Sequence, residues 1–340
     1  MSRTTRCVAL AATAMVGACA DPPTSPQAGR APFALSDVTV DVTGYTPTLL
    51  QIDDPTDMND AGHVVGRRTN DVRPYLQEGA TLHPLTLPSF ALSATPKAIN
   101  NRGNITAEVQ KSKTVVRGVY WTSYQALPVE LPNLGGTTDR PEDMNDSGYV
   151  VGSSANSAGI WRAFRWRLGR GVTDISGSPN RTWATGISNQ GTVSGYTTIN
   201  GSRFPFALFG GTSTVLTSRM WDKGIGVTPG GSVILGGGET WASTGQLTMH
   251  GPGGGFWLTD INAVGRLAGY MGPESNRVVV TTAYTWFNGV GTTLRYPGET
   301  SSKAIAVNAC GSVLAAVDVN GAKQGVLWTK ATCDVGTPTF

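Results

Sequence analysis

The chain repeats itself. Seven times an apolar residue and a short polar stretch lead to a glycine, and the glycines stand at 62, 103, 148, 191, 231, 265 and 311. The clearest copies read Met58-Asn59-Asp60-Ala61-Gly62, Ile99-Asn100-Asn101-Arg102-Gly103, Met144-Asn145-Asp146-Ser147-Gly148 and Ile187-Ser188-Asn189-Gln190-Gly191. Val227, Ile261 and Val307 open the other three. A period of roughly forty residues is too short for a domain and right for one blade of a β-propeller. Such a unit cannot bury its apolar face until neighbours stack on it. The repeat therefore predicts an all-β fold, a propeller of seven four-stranded blades over residues 38–335.

Patterning within each copy supplies the strands. After the glycine comes a short alternating run such as His63-Val64-Val65-Gly66 or Tyr149-Val150-Val151-Gly152. A second run ends on an aromatic: Trp121, Trp166, Phe209, Trp286 and Trp328. A large flat ring there fills the gap between stacked blades. Unit five departs from this pattern. Leu247-Thr248-Met249-His250 stands where the aromatic is expected, and the step from Gly231 to Gly265 is the shortest of the six. Unit five is therefore expected to be the weakest blade. The Asn-Asp-x-Gly segments read as hairpin turns, because Asn and Asp bond back to the backbone and Gly accepts positive φ. A calcium loop built on Asp57, Asn59 and Asp60, or on Asp143, Asn145 and Asp146, lacks the further oxygen ligands and the distal Glu. No metal site is expected.

The units resemble the HAF repeat, a family of extracellular repeats named for a His-Ala-Phe run in the third strand. Residues 144–152 followed by Ala163-Phe164-Arg165-Trp166 carry the resemblance, with Leu134-Gly135-Gly136 just ahead of the unit. Arg162 stands where the family has His. The resemblance covers most of residues 46–330, and unit five matches worst. It implies an extracytoplasmic propeller-like fold and brings no catalytic residues with it.

The N-terminus reads as a targeting segment. Arg3 and Arg6 precede an apolar run from Cys7 to Val16, then Gly17-Ala18-Cys19. Small residues directly before a cysteine resemble a bacterial lipoprotein box, so residues 1–18 are expected to be a signal peptide and Cys19 the lipidated residue. An ordinary signal peptide cut near the same place is the alternative. Residues 19–37, rich in Pro, Ala and Ser, read as a flexible tether. The expected location is the bacterial cell envelope, with Ala20 after Cys19 favouring the outer membrane or cell surface. Export permits disulfides, and Cys310 and Cys333 in the last unit are the expected pair. Unit seven runs out of sequence before its fourth strand, while residues 38–50 look like a fourth strand with no partners. The economical reading pairs that segment with the strand around residues 325–329, removing an open edge.

Chemistry is sparse. The three histidines, His63, His83 and His250, show no metal-ligand spacing, and no phosphate loop or nucleophile motif appears. No catalytic residue and no cofactor is assigned. A net charge of +3 gives no argument for nucleic acid. The loops that enter each blade, and those between its second and third strands, emerge at one end of the fold. They gather Arg140, Trp161, Arg162, Arg181, Trp183, Arg203, Arg219, Trp221 and Trp241, while the hairpins opposite are mostly Asn, Asp, Gly and Ser. Aromatics beside arginines can stack on sugars and grip anions. Arg162, Arg181, Trp183, Arg203, Arg219, Trp221 and Trp241 are the expected ligand-binding residues, for a non-enzymatic envelope module that binds a glycan, an anionic polymer or a protein. The alternatives are a propeller enzyme acting on a polysaccharide, with Asp53, Asp54, Asp57, Glu142 and Asp143 near the channel, and a purely architectural envelope protein.

Overall fold

A computed structural model describes residues 44–219, 224–228, 230–236, 239–249, 256–272 and 280–334. The expected signal peptide, Cys19, the tether, Trp221 and His250 lie outside the described residues. All regular structure within them is strand, in five four-stranded sheets and one eight-stranded sheet, in which a single parallel pair between Thr138 and Val116 joins the second and third repeats.

Unit one holds β2 (Asp54–Met58), β3 (Val64–Arg67), β4 (Pro74–Glu78) and β5 (Thr81–Pro84). Unit two holds β6 (Ser93–Ile99), β7 (Ile105–Gln110), β8 (Val116–Trp121) and β9 (Val129–Glu130). Unit three holds β10 (Gly135–Met144), β11 (Tyr149–Asn156), β12 (Trp161–Arg167) and β13 (Gly171–Asp174). Unit four holds β14 (Thr182–Ile187), β15 (Val193–Ile199), β16 (Ser202–Phe209) and β17 (Thr212–Val215). Unit five holds β18 (Gly224–Val227), β19 (Val233–Leu235), β20 (Glu239–Trp241) and β21 (Leu247–Met249). Unit six holds β22 (Phe256–Ile261), β23 (Leu267–Met271), β24 (Thr282–Phe287) and β25 (Val290–Leu294). The seventh unit takes β26 (Glu299–Val307), β27 (Val313–Val319) and β28 (Ala322–Lys330) from the end of the chain and β1 (Tyr45–Leu49) from its beginning. Tyr45 lies opposite Lys330 and Leu49 opposite Val326.

The first strand of each unit touches the first strands of the units before and after it, and β26 touches β2. The apolar core follows this order, because each buried cluster spans two neighbouring units. Val65 and Leu76 of unit one pack with Ile105, Val119 and Trp121 of unit two. The last junction sets Ala306 and Leu314 against Leu50, Ile52 and Met58. The expected packing aromatics are where the pattern put them: Trp121, Trp166 and Trp328 are buried, and Trp286 is partly buried. Unit five requires a correction. Its aromatic is Trp241, which ends β20 and lies opposite Val233, as Trp121 lies opposite Ile105. Leu247–Met249 is the fourth strand, not the third. β19 and β20 are only three residues each, so the aromatic falls earlier in the repeat than the other copies suggest.

Every first strand carries a bulge before its last residues, as between Pro55 and Asp57 or Pro141 and Asp143. The bulge presses the first strand's backbone against the second strand. Gly66, Gly152, Gly195 and Gly269 stand there in register, and a Cβ on Gly152 would lie 2.0 Å from the Arg140 carbonyl oxygen. Gly152→Ala is therefore expected to cost at least the ~1–3 kcal/mol of an overpacked core site, read as a lowered denaturation midpoint. Unchanged stability would mean the bulge is absent.

The repeat asparagine joins unit to unit. Asn145 Oδ1 accepts from Tyr149 N (3.0 Å), which closes the hairpin, and its Nδ2 donates to the Ser188 carbonyl of unit four (3.0 Å). Asn59, Asn100 and Asn262 do the same towards Asn100, Asn145 and Asn308. Asn308 then donates to the Asp60 carbonyl at 3.3 Å, from the seventh unit back to the first. Beside it runs a set of buried aspartates. Asp57, Asp143 and Asp260 each accept from the following residue and from the next unit, where Ile99, Ile187 and Val307 donate at 2.8, 2.7 and 2.8 Å. The Asp pairs thus hold main-chain N–H groups, as the hairpin reading requires. At the same end Cys310 and Cys333 form a disulfide with Cα atoms 4.2 Å apart. Asp334, just beyond, meets Arg266 and Lys330 in a buried ion cluster.

Candidate functional site

The strands have two ends. Asn-Asp-x-Gly turns and the third-to-fourth hairpins occupy the hairpin end; the connections entering each unit occupy the loop end. At the loop end of units three and four, aromatic side chains form a column. Trp183 is the second residue of β14 and lies opposite Tyr196 of β15. Their rings stack with centroids 4.8 Å apart at 16°. Trp161, at the start of β12, stacks loosely on the other side of Trp183, at 6.3 Å and 29°. A guanidinium closes each end of the column, Arg140 at 5.7 Å from the Trp161 ring centre and Arg203 at 4.7 Å from that of Tyr196. Cation–π contact with such rings orients arginine as well as attracting it. Burial raises the Tyr196 pKa above its ordinary value.

The expected binding residues divide. Arg181, Trp183 and Arg203 come together at this loop end, with Arg181 and Arg203 exposed and Trp183 half-buried. Arg162 turns inward, with Nε 2.7 Å from Asp174 and Nη1 donating to the Asn180 carbonyl at 3.0 Å. Arg219 pairs with Glu239. Trp241 is 2 % exposed and packs edge-on to Phe209, so it presents no face to a ligand. Its removal from the site follows from the corrected strand assignment.

One residue escaped the sequence reading. Trp257 is 43 % exposed. It stands four residues before Ile261, as Trp183 stands four before Ile187, and lies opposite Tyr270 as Trp183 lies opposite Tyr196. Lys303 Nζ lies 4.9 Å from the Tyr270 ring centre, the part that Arg203 plays at Tyr196. Counting back from the repeat's apolar residue would have found it. The same count puts Asp54, Arg140 and Lys303 at equivalent positions of units one, three and seven.

The acidic residues weighed for catalysis are all engaged. Asp53 accepts from Thr69 N at 2.6 Å, and Asp54 pairs with Arg67 at 3.2 Å. Lys97 bridges Glu108 (3.2 Å) and Glu142 (3.3 Å). Burial works against the Lys97 charge, but Glu142 and Glu108 outweigh it and raise its pKa. Burial also raises Glu142, against the pull of Lys97. Asp57 and Asp143 are buried at the hairpin end and hold backbone N–H groups. Among the described residues no three His, Cys, Asp or Glu side chains converge as metal ligands.

Comparison with solved structures identifies the architecture. YCF48 bound to D1 peptide superposes with a TM-score of 0.52 at 12 % identity, over 88 % of this chain and 99 % of that one. The Cps50 (Swd1) β-propeller domain of Myceliophteria thermophila gives 0.52 at 11 %, over 84 % and 99 %. Streptogramin B lyase gives 0.50 at 12 %, over 84 % and 98 %. The chain has a β-propeller fold. Identities this low establish the fold and carry no activity across. No protein-family model matches the chain, and no curated protein matches it in sequence.

Proposed function

We propose that this propeller is a non-enzymatic binding module of the bacterial cell envelope, built of seven HAF-type blades and held by lipid on Cys19. The sheet order with β1 beside β28 supports the blade count, as does the return bond from Asn308 to Asp60. The observation that carries the binding role is the loop end. There Arg140, Arg181, Arg203 and Lys303 accompany Trp183, Tyr196, Trp257 and Tyr270, while the neighbouring carboxylates are tied to cations or backbone. The column's rings are stacked on one another, which leaves the exposed Trp257 as the platform for a sugar. Cations around an apolar platform fit an anionic glycan better than a neutral one. A protein ligand is the second reading. The polysaccharide-enzyme and architectural alternatives draw on no observation of their own.

The test is titration of tryptophan fluorescence with polygalacturonate and, as the neutral control, dextran. Polygalacturonate should bind and dextran should not, and binding should weaken as salt screens the charges over ~10 Å at 0.1 M. Trp257→Ala and Arg203→Ala should each cost on the order of 1–2 kcal/mol of affinity. Equal affinity for both polymers, or binding indifferent to both substitutions, would remove the loop end from consideration.

A further inference from the structure

Three arginines at the hairpin end of unit three enter no ion pair with a carboxylate among the described residues. Arg165 and Arg167 lie in β12, and Arg170 follows in the turn to β13, where its N–H bonds to the Arg167 carbonyl at 3.0 Å. Tyr149 is opposite Arg167 in the ladder, and Thr173 is opposite Arg165. Cross-strand partners and alternate residues share a face of a sheet, so Tyr149, Arg165, Arg167 and Thr173 point the same way. The two guanidinium carbons lie 5.2 and 5.1 Å from the Tyr149 ring centre. With Arg170 and Gly171 these residues line a cavity of about 350 Å³. Arg162, on the same strand, shows the usual arrangement, with its charge met by Asp174 at 2.7 Å. No ion pair among the described residues meets the charge of Arg165, Arg167 or Arg170. A hydrogen bond with Arg167 holds the Tyr149 phenol below its ordinary pKa.

We propose that this cavity binds a phosphate group carried on a larger ligand. The planar fork of a guanidinium matches two phosphate oxygens at once, and charge-assisted bonds of this kind are the strong ones. Three uncompensated positive charges suit a dianion better than a single carboxylate. The hydroxyls of Tyr149 and Thr173 are donors for the remaining oxygens. The cavity holds roughly ten water volumes, more than a bare oxyanion fills, and the surplus is room for the group that bears it. The position adds a second argument. The chain enters β1 at Tyr45, opposite the last residue of β28, and so at the hairpin end as well. The start of β1 and the arginine cavity share that end, and two sources of phosphate qualify: the headgroup of an anionic phospholipid and a soluble phosphorylated sugar. The site is at the opposite end from Trp183 and Trp257, and its fate is independent of the glycan reading.

The test uses the full chain with Cys19→Ser, so that no attached lipid contributes. Calorimetry with glycerol 3-phosphate probes the soluble source. Co-sedimentation with vesicles of phosphatidylcholine, with and without phosphatidic acid, whose headgroup is a phosphomonoester, probes the headgroup. Binding of glycerol 3-phosphate supports the site and assigns it to a soluble ligand. Binding only to vesicles containing phosphatidic acid supports it and assigns it to a membrane. In either case Arg165→Ala with Arg167→Ala should weaken binding roughly tenfold or more, Arg167→Lys should fall between, and Arg295→Ala on unit six should change nothing. Should the double variant fail to fold, Arg170→Ala in the exposed turn carries the same comparison. Binding to neither probe, or binding indifferent to these arginines, overturns the proposal.

Discussion

Removing residues 20–50 is expected to unfold or aggregate the protein at temperatures where the full chain is native. The loss is larger than a surface strand suggests. The side chains of β1 are mostly exposed, like those of other fourth strands. Its backbone, however, satisfies the edge of β28, and the chain continues directly into Leu50 and Ile52, which fill the junction between the seventh unit and the first. Leu50 N donates to the Gly325 carbonyl at 2.9 Å, and Gly325 N donates to the Ile52 carbonyl at 3.1 Å. Truncation therefore removes a strand, exposes an edge and opens a core cluster together. Ile52→Ala isolates the last of these. Ile52 is completely buried, so the substitution should cost about 2–5 kcal/mol. Chemical denaturation of both variants checks the pair. A truncated chain with an undiminished denaturation midpoint would show that the seventh unit does not need β1.

Asp143→Ala should be comparably damaging and should also change how stability depends on pH. The Asp143 carboxylate accepts from Met144 N and Ile187 N, both at 2.7 Å, and the second of these belongs to the next unit. Alanine leaves both buried donors unanswered, at about 1–3 kcal/mol each. Burial pushes the Asp143 pKa up to about 7 and that of Asp260 to about 6, against the backbone donors that favour the charged forms. It pushes Asp57 well above the usual carboxylate range. A raised pKa means that the folded protein holds protons the unfolded chain has released. The stabilisation is therefore present in full below the unfolded value near 3.8 and is lost as pH rises through the folded values, to about 7. Each such proton contributes a slope of at most ~1.4 kcal/mol per pH unit. Melting curves between pH 4 and 8 should show stability falling with pH in the native sequence and falling less steeply in Asp143→Ala. A profile that rises over that range would reverse the assignment.

Blade content was legible in the sequence because it rests on local chemistry. Period-two patterning fixes strands, and Asn with Gly fixes the hairpins, whatever lies around them. The spare segment before unit one was legible for the same reason, since a strand pattern without partners implies partners elsewhere. The site was only half legible. Arg181, Trp183 and Arg203 could be assigned to one end of the strands by counting, and the structure brings them together. Membership of a loop-end segment alone could not tell an exposed aromatic from a buried one. Trp241 and Trp257 are both tryptophans of short loops and strands, yet one is core and the other is exposed at the loop end, because register alone decides which face a strand residue takes.

The sequence by itself determined the repeat, its strands and turns, and the cysteines able to pair. Tertiary structure alone decided three things. It turned the repeat asparagines and aspartates from turn formers into bonds between units, since their second hydrogen-bonding group finds its partner only when the next unit is in place. It set Arg162 against Asp174 and left Arg165 and Arg167 without an ion-pair partner among the described residues, though all three share one strand. It also set the register of the β1–β28 pairing that the spare segment implied, with Tyr45 opposite Lys330 and Leu49 opposite Val326. In each case the deciding contact lies between residues far apart in sequence or in register, and composition and spacing do not encode such contacts.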